Sequence, residues 1–202
     1  MERHLPVSFW TRTMTQSIET DRLLLRSPKP SDVERIAAIA NSFPVASMLG
    51  LMPHPYTQLD AMDYIVRVSG LPGGAAQFVI TLKSAGGLVI GGAGYGPAHA
   101  LPDGYGPETD FGYWLGEDYW GMGYASEAAA AVRDHAFTHT AIGLLSTDYN
   151  LDNAGSKRVL EKLGFEPAGP RTRYSLARGA DMNTMNMHLT RTRWQAMKGS
   201  AS

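Results

Sequence analysis

Cysteine is absent from all 202 residues. Its absence excludes disulfides, thiolate-held metals and a thiol nucleophile together. Charge is sparse as well: 18 Lys and Arg stand against 19 Asp and Glu, a formal net charge of −1. Such a balance gives no overall field for gripping a nucleic-acid backbone or an anionic membrane, so an acidic partner must be met by a local site. No apolar run approaches the ~20 residues of a membrane span. Residues Met1 to Ser17, with Arg3, Pro6 and Arg12, hold no apolar stretch of the kind a secretion signal uses. The expectation is a cytoplasmic protein. What is present is a 44% hydrophobic content, enough for a substantial core, on a length that suits one domain better than two.

Regular patterning begins near Glu19, where Arg22 to Arg26 reads as a short strand stopped by Pro28 and Pro30. Ser31 followed by Glu34 has the form of a capping box opening a helix, with Val33, Ile36, Ala37 and Ala40 as its apolar stripe. A second helix is expected over about Leu59 to Val68. Two β-type runs, Gln77 to Lys83 and Leu88 to Ala93, flank paired glycines and read as a hairpin. Gly91 to Gly96 ends the second of these strands and reads as bulge or turn material, and a glycine- and proline-rich loop follows from Gly94 to Pro107. Then come a strand (Asp110 to Leu115), an alanine-rich helix (Ser126 to Phe137), a strand (Leu144 to Tyr149) and a helix (Ala154 to Leu163). Gly164 is placed to end that last helix. Thr172 to Leu176 and Met185 to Leu189 are expected to pair as a closing hairpin. The order predicts a mixed α/β (α+β) fold: residues 1–17 as an arm, 18–194 as one domain and 195–202 as a tail.

The stretch richest in chemistry is Asp110 to Glu127: a strand, a tight glycine turn and the first turn of a helix. Gly121, Gly123 and Ala125 keep the main chain bare, so an anion can approach successive amides. The helix behind them aims its positive dipole end at the same place. This is a cradle for paired phosphates. A dinucleotide fingerprint wants a third glycine where Ser126 stands, and an early parallel βαβ unit. A P-loop wants Gly-Lys-Ser/Thr, which is missing.

The segment Trp120-Gly121-Met122-Gly123-Tyr124-Ala125 resembles the acetyl-CoA-binding motif of the GNAT superfamily of N-acetyltransferases, usually Gln/Arg-x-x-Gly-x-Gly/Ala. Tryptophan at its head, inside Tyr119 to Ala128, resembles the RimJ/RimL-like branch, which modifies protein N-termini, antibiotics and other amines. The run Asp152 to Phe165 and the opening Glu19 to Arg26 agree, so the likeness spans about residues 18 to 194. It implies a twisted, mostly antiparallel sheet flanked by helices, with acetyl-CoA as co-substrate in a cleft between two central strands, and no metal.

The resemblance also implies roles. Tyr113, Trp114 and Leu115 bond the pantetheine through their main chain, with an amide near Leu115 meeting the oxyanion. Gly121, Met122, Gly123, Tyr124, Ala125 and Ser126 hold the pyrophosphate. Asn153 contacts the cofactor, although a plain helix N-cap has the same sequence appearance. Ser156 protonates or orients the departing thiolate. Many relatives use a tyrosine acid at the position of Leu160, so that acid is missing here. For the base, Asp110 and Asp148 are the candidates, with Glu108 nearby, and deprotonation relayed by water with no unique residue is the equal alternative. Asp103, Glu117 and Asp118 add to an acidic rim suited to a cationic amine. Lys157 and Arg158 are within sequence reach of the coenzyme phosphates.

His135 and His139 lack the glutamate of a zinc-binding helix and read as ordinary helix residues. Arg171, Arg173, Arg178, Arg191 and Arg193 read as a solvated basic face rather than a nucleic-acid surface. The acceptor is expected to be a small-molecule or peptide amine, chosen by the loops Ser42 to Thr57 and Gly94 to Pro107, in a monomer or homodimer. The rival readings are a non-catalytic acyl-CoA sensor of the same fold and a binder of another pyrophosphate nucleotide.

Overall fold

The computed structural model describes residues 17–69, 71, 75–97 and 109–200. Strands β1 (Ser17–Glu19) and β2 (Leu23–Arg26) lead into helices α1 (Val33–Ala40), α2 (Phe43–Ala46) and α3 (Gln58–Ser69). Strands β3 (Ala76–Leu82), β4 (Leu88–Pro97) and β5 (Thr109–Leu115) precede helix α4 (Tyr124–His139). Strand β6 (Leu144–Asn150), helix α5 (Ala154–Lys162), strands β7 (Glu166–Ser175) and β8 (Ala180–Thr190) and helix α6 (Arg191–Gly199) complete the chain. The strands form one sheet in the order β1-β2-β3-β4-β5-β6-β8-β7. Among the described residues, β5 and β6 are the parallel neighbours and the other pairs are antiparallel. The mixed α/β class and the antiparallel sheet are as the sequence predicts.

Apolar alternation builds a core on each face of the sheet. On one face Phe78, Ile80, Phe111 and Leu115 pack with Ala128, Val132 and Phe137 of α4, Leu160 of α5 and Trp194 of α6. On the other, Val79 and Val89 pack with Ile36 and Ile39 of α1 and Ile65 of α3. Burying a side chain of this size stabilises by roughly 1.5–3 kcal/mol, so the two layers clamp β5 from above and below. Gly164, at φ +89, closes α5 as the sequence predicts. The Phe165 N–H reaches the Leu160 carbonyl and the Gly164 N–H that of Glu161, both at 3.0 Å, the double bond of a Schellman ending.

Several expectations are corrected. The predicted Ser31 cap is replaced by Asp32, whose carboxylate accepts the Lys29 N–H at 2.9 Å. Asp32 wins that place because Arg26 grips it with two hydrogen bonds, at 2.7 and 2.8 Å. Gly91 to Gly96 is no turn but lies inside β4, paired with β3 and β5; the bulge half of the expectation holds at its start, where Ile90 falls between the Thr81↔Val89 and Ile80↔Gly91 rungs. The strand is bare because its neighbours crowd it; a Cβ on Gly91 would collide with the Trp114 carbonyl, and one on Gly94 with the Gln77 side chain. The closing hairpin is longer than predicted, and Thr172 pairs with Asn183 while Met185 pairs with Pro170. Gly169, at φ +128, lets β7 bulge and continue. Residues read as a tail from 195 continue α6 to Gly199. Residues 1–16 of the predicted arm, and Asp103 and Glu108, lie outside the described residues.

Of the arginines expected on a solvated face, Arg178 and Arg191 turn onto main-chain carbonyls of other elements, while Arg193 stays exposed. Arg191 donates to the carbonyls of Ile142 at 2.9 Å and Thr140 at 2.7 Å and stacks over Phe137, tying off the carboxyl end of α4. Arg193 donates to the Gly164 carbonyl at 2.7 Å, and Arg178 to that of Ser47 at 2.7 Å. Their charge is used to satisfy main-chain carbonyls between elements.

Candidate active site

Strand β5 pairs with β4 from Thr109 to Leu115, but with β6 only at Thr109↔Leu145 and Asp110↔Ser146. Past Asp110 the two parallel strands part. Main-chain groups along that edge of β5 would be costly to leave unpaired in a closed interior. Here the edge opens on a cleft of about 1410 Å³, lined on one lip by Gly112, Tyr113, Trp114 and Leu115 and on the other by Thr147 and Asp148.

At one end of the cleft lies the glycine turn. Gly121 and Gly123 take left-handed conformations, φ +74 and +81, and Gly123 is the N-cap of the 16-residue helix α4. A side chain is strained in that region, and no Cβ screens the amides. Gly121, Gly123, Ala125 and Ser126 line the cleft. Met122, half-exposed, and Tyr124 belong to the same turn but do not line it. The cradle is held from two sides. The Trp120 indole N–H donates to the Leu115 carbonyl at 2.9 Å, fixing the turn to the end of β5. Arg22, from the far edge of the sheet, donates to the Met122 carbonyl at 2.9 Å and pairs with Glu127 at 2.6 Å, its guanidinium lying 4.5 Å from the centre of the Tyr124 ring. Burial pushes the Glu127 carboxyl up, but hydrogen bonds from Thr20 and Arg22 and the Arg22 charge outweigh it and hold the carboxyl below the usual range.

Strand periodicity sorts the remaining residues onto two faces. Phe111, Tyr113 and Leu115 face α4 and α5, with Tyr113 packed against that core. There the Tyr113 hydroxyl lies 3.0 Å from Ser156 Oγ and 3.3 Å from the Ser156 carbonyl. Burial pushes the Tyr113 phenol up to about 12, against a smaller lowering by its Ser156 hydrogen bond. Asn153 caps α5, its Oδ1 accepting the Ser156 N–H at 2.9 Å. The cap uses the amide oxygen and leaves the two N–H donors for the cleft, which Asn153 and Ser156 both line. Leu160 is buried in the core, so the position where many relatives carry a tyrosine acid is apolar here.

Asp110, Gly112 and Trp114 take the opposite face, and Trp114 packs against the α1–α3 core. Asp148 on β6 also lines the cleft. Its Oδ1 accepts from Arg173 at 2.7 Å and its Oδ2 from the Thr184 hydroxyl at 3.3 Å. Asp110 stands at the last paired rung before the strands part. The 42–57 loop supplies Met48, Leu51, Met52 and Tyr56 to the lining. It is fastened to the β7–β8 hairpin by Leu176 N–H to the Gly50 carbonyl at 3.0 Å and Ser175 Oγ to the Leu49 carbonyl at 3.2 Å. Glu117 and Asp118, read as part of an acidic rim, do not line the cleft; Glu117 accepts from Ser42 at 3.2 Å. Lys157 lies 3.8 Å from Glu161, whereas Arg158 lines the cleft. Among the described residues no group of three His, Asp or Glu side chains stands together as a metal site.

Sequence reasoning missed the Tyr113 hydroxyl, the Arg22–Glu127 tie and the Trp120 anchor. Glu127 carried one signal, an acid in the first turn of a helix. The other partners are far apart in the chain and carried none.

A parted parallel strand pair lies beside a glycine turn with bare amides at the start of a long helix. The chain belongs to the GNAT acetyltransferase family, whose domain it matches over residues 22–166. It is 27% identical over 165 residues to the uncharacterized N-acetyltransferase p20 of Bacillus licheniformis, covering 81% of this chain and 90% of that protein. Among solved structures it superposes on spermidine N-acetyltransferase of Vibrio cholerae in complex with CoA and spermine, with a TM-score of 0.70 and 15% identity over 87% of this chain and 99% of that one. It superposes equally on the ribosomal-protein-S5-alanine acetyltransferase of Vibrio fischeri, with a TM-score of 0.69 and 23% identity over 89% and 98%. At such identities the superpositions speak for the fold.

Proposed function

We propose that this acetyltransferase moves the acetyl group of acetyl-CoA directly to a primary amine within a ternary complex, using the parted β5–β6 edge as its thioester seat. The observation that carries the proposal is the end of strand pairing at Asp110, beside amides left bare at Gly121 and Gly123. Gly121 to Ser126, with Met122 and Tyr124 contributing main chain, hold the pyrophosphate at the positive end of α4. The freed main chain of Tyr113, Trp114 and Leu115 bonds the pantetheine and meets the oxyanion. Asn153 donates to the cofactor arm.

The two faces divide the chemistry. The amine arrives on the face of Asp110 and Asp148, where a carboxylate takes its proton. The sulfur leaves on the face of Ser156. Asp110, at the last rung before the strands part, and Asp148, paired with Arg173, are the two candidates for that carboxylate. The acceptor is a small-molecule or peptide amine, as in the RimJ/RimL-like branch, handled by one domain over 18–194 in the cytoplasm, as monomer or homodimer. Thiol release from acetyl-CoA over a panel of amines and peptides is the test. Turnover on at least one class supports the reading; tight acetyl-CoA binding without release across the panel favours an acyl-CoA sensor instead.

A further inference from the structure

The structure assigns Tyr113 a place in the machinery beyond its main chain: we infer that its hydroxyl is a positioning donor, fixing the Ser156 hydroxyl so that the serine hydrogen points at the departing sulfur. The inference rests on the transferase reading and deepens it. A serine hydroxyl is a rotor with one hydrogen and two acceptor sites. Left alone at the wall of a cleft, it would spend its hydrogen on whichever carbonyl lies near. Here the local carbonyl of Ser156 is approached by the Tyr113 hydroxyl at 3.3 Å, and the same hydroxyl lies 3.0 Å from Ser156 Oγ. With tyrosine donating, Oγ is an acceptor toward β5 and keeps its own hydrogen for the cleft it lines. Chained donors also strengthen one another in a low dielectric.

Either hydroxyl could donate across the 3.0 Å contact; the phenol, the more acidic O–H, is taken as the donor. Burial holds the Tyr113 phenol protonated, up to about 12. An alkyl thiol titrates near ~8.5, so passing the tyrosine proton to a thiolate runs uphill and does not occur as a stable step. The serine proton is held more tightly still. The balanced reaction is therefore plain. The amine nitrogen forms the bond to the carbonyl carbon, and the carbon–sulfur bond breaks with its electron pair on sulfur. The ammonium proton passes to a carboxylate on the Asp110 face and on to solvent, and sulfur departs as the thiolate, which takes up a proton from the buffer after release. Ser156 steadies the thiolate with a charge-assisted hydrogen bond and Tyr113 steadies Ser156. Neither ionises.

The test is a double-mutant cycle in steady-state kinetics on the full chain, with thermal melts to establish folding. Ser156→Ala and Tyr113→Phe are each expected to lower kcat about ten-fold with the KM for acetyl-CoA unchanged. The double variant should fall no further than Ser156→Ala alone. Unchanged kcat in folded Tyr113→Phe overturns the inference, and so do losses that multiply. A second reading needs no variant with altered packing: wild-type kcat should show no alkaline limb below pH about 10. A limb there that vanishes in Tyr113→Phe means the phenol itself gives up a proton, and the positioning role is wrong. Failure of wild-type turnover on every amine would instead strike the transferase reading, and full activity in Ser156→Ala would strike the role of Ser156.

Discussion

The Arg22 guanidinium and the Glu127 carboxylate meet at 2.6 Å although 105 residues separate them in the chain. Through this pair the edge strand reaches over the first turn of α4 and, by a second nitrogen on the Met122 carbonyl, holds the cradle. Arg22 is half-exposed, so the pair contributes little to global stability, about 0.5–1 kcal/mol. Its weight falls on the cradle instead. Arg22→Ala is expected to raise the KM for acetyl-CoA about five- to ten-fold, the loss of about one hydrogen bond's worth of order, with a small change in denaturation midpoint. Kinetics and urea unfolding on the same preparation check both halves.

The same pair sets an acid limit. Glu127 is held below its ordinary value of 4.5 in the folded chain. A carboxyl depressed by folding stabilises above its unfolded pKa, and that stability drains away as pH falls through the folded value. Unfolding free energy should therefore drop below pH about 4.5, and Glu127→Gln should flatten the drop while lowering the plateau at pH 7. Urea titrations from pH 7 to pH 3.5 measure the difference.

Gly123 is the position where the cradle tolerates least. Any side chain there enters a left-handed backbone and comes within 3.3 Å of Arg22 Nη2. Gly123→Asp adds a negative charge where the phosphates belong, costing ~1–2 kcal/mol in backbone strain alone. Calorimetry should find no acetyl-CoA binding to the folded variant; unchanged affinity would remove the cradle from this turn.

How much of this was legible in the sequence depends on distance along the chain. The glycine turn that opens α4, the β3–β4 hairpin and the Gly164 helix ending were readable because each is a local demand of the backbone on glycine. The parting of β5 from β6 was expected from resemblance alone; nothing in Asp110 to Leu115 says where pairing stops. The roles of Arg22, Arg178 and Arg191 were hidden because a cation's partner here is a carbonyl contributed by another element. Even the short-range cap at Ser31 failed, since Asp32 was claimed by Arg26 from the preceding strand. Local propensity yielded to a contact that only the fold creates.

His135 supplies a neutral-pH prediction. Its Nδ1 lies 3.0 Å from the Tyr95 hydroxyl, its ring meets Phe78 edge-on, and His139 stands 4.6 Å away. Burial first, and the His139 charge second, lower its pKa from 6.5. Folding thus favours the neutral ring, so the unfolded chain binds more protons and stability falls as pH drops below 6.5. His135→Gln, which can still accept from Tyr95 without titrating, should flatten stability between pH 7 and pH 5.5 in denaturant melts.

The two carboxylates on the amine face should separate cleanly when each is made an amide. Asp148 is tied to Arg173, with their side chains only 13% and 20% exposed. Asp148→Asn removes one charged partner of that guanidinium in a partly buried place. It is expected to cost about 1–3 kcal/mol of stability and to lower kcat only a few-fold. Asp110 stands at the point where the strands part, one rung from the gap. With Asp110 as the base, Asp110→Asn should lower kcat about 100-fold or more and leave the KM for acetyl-CoA unchanged in a variant whose melt establishes folding. The outcome turns on which variant loses rate without losing fold. A larger rate loss in Asp148→Asn at matched stability would transfer the base to β6, and would mean that Arg173 releases its partner when the amine arrives.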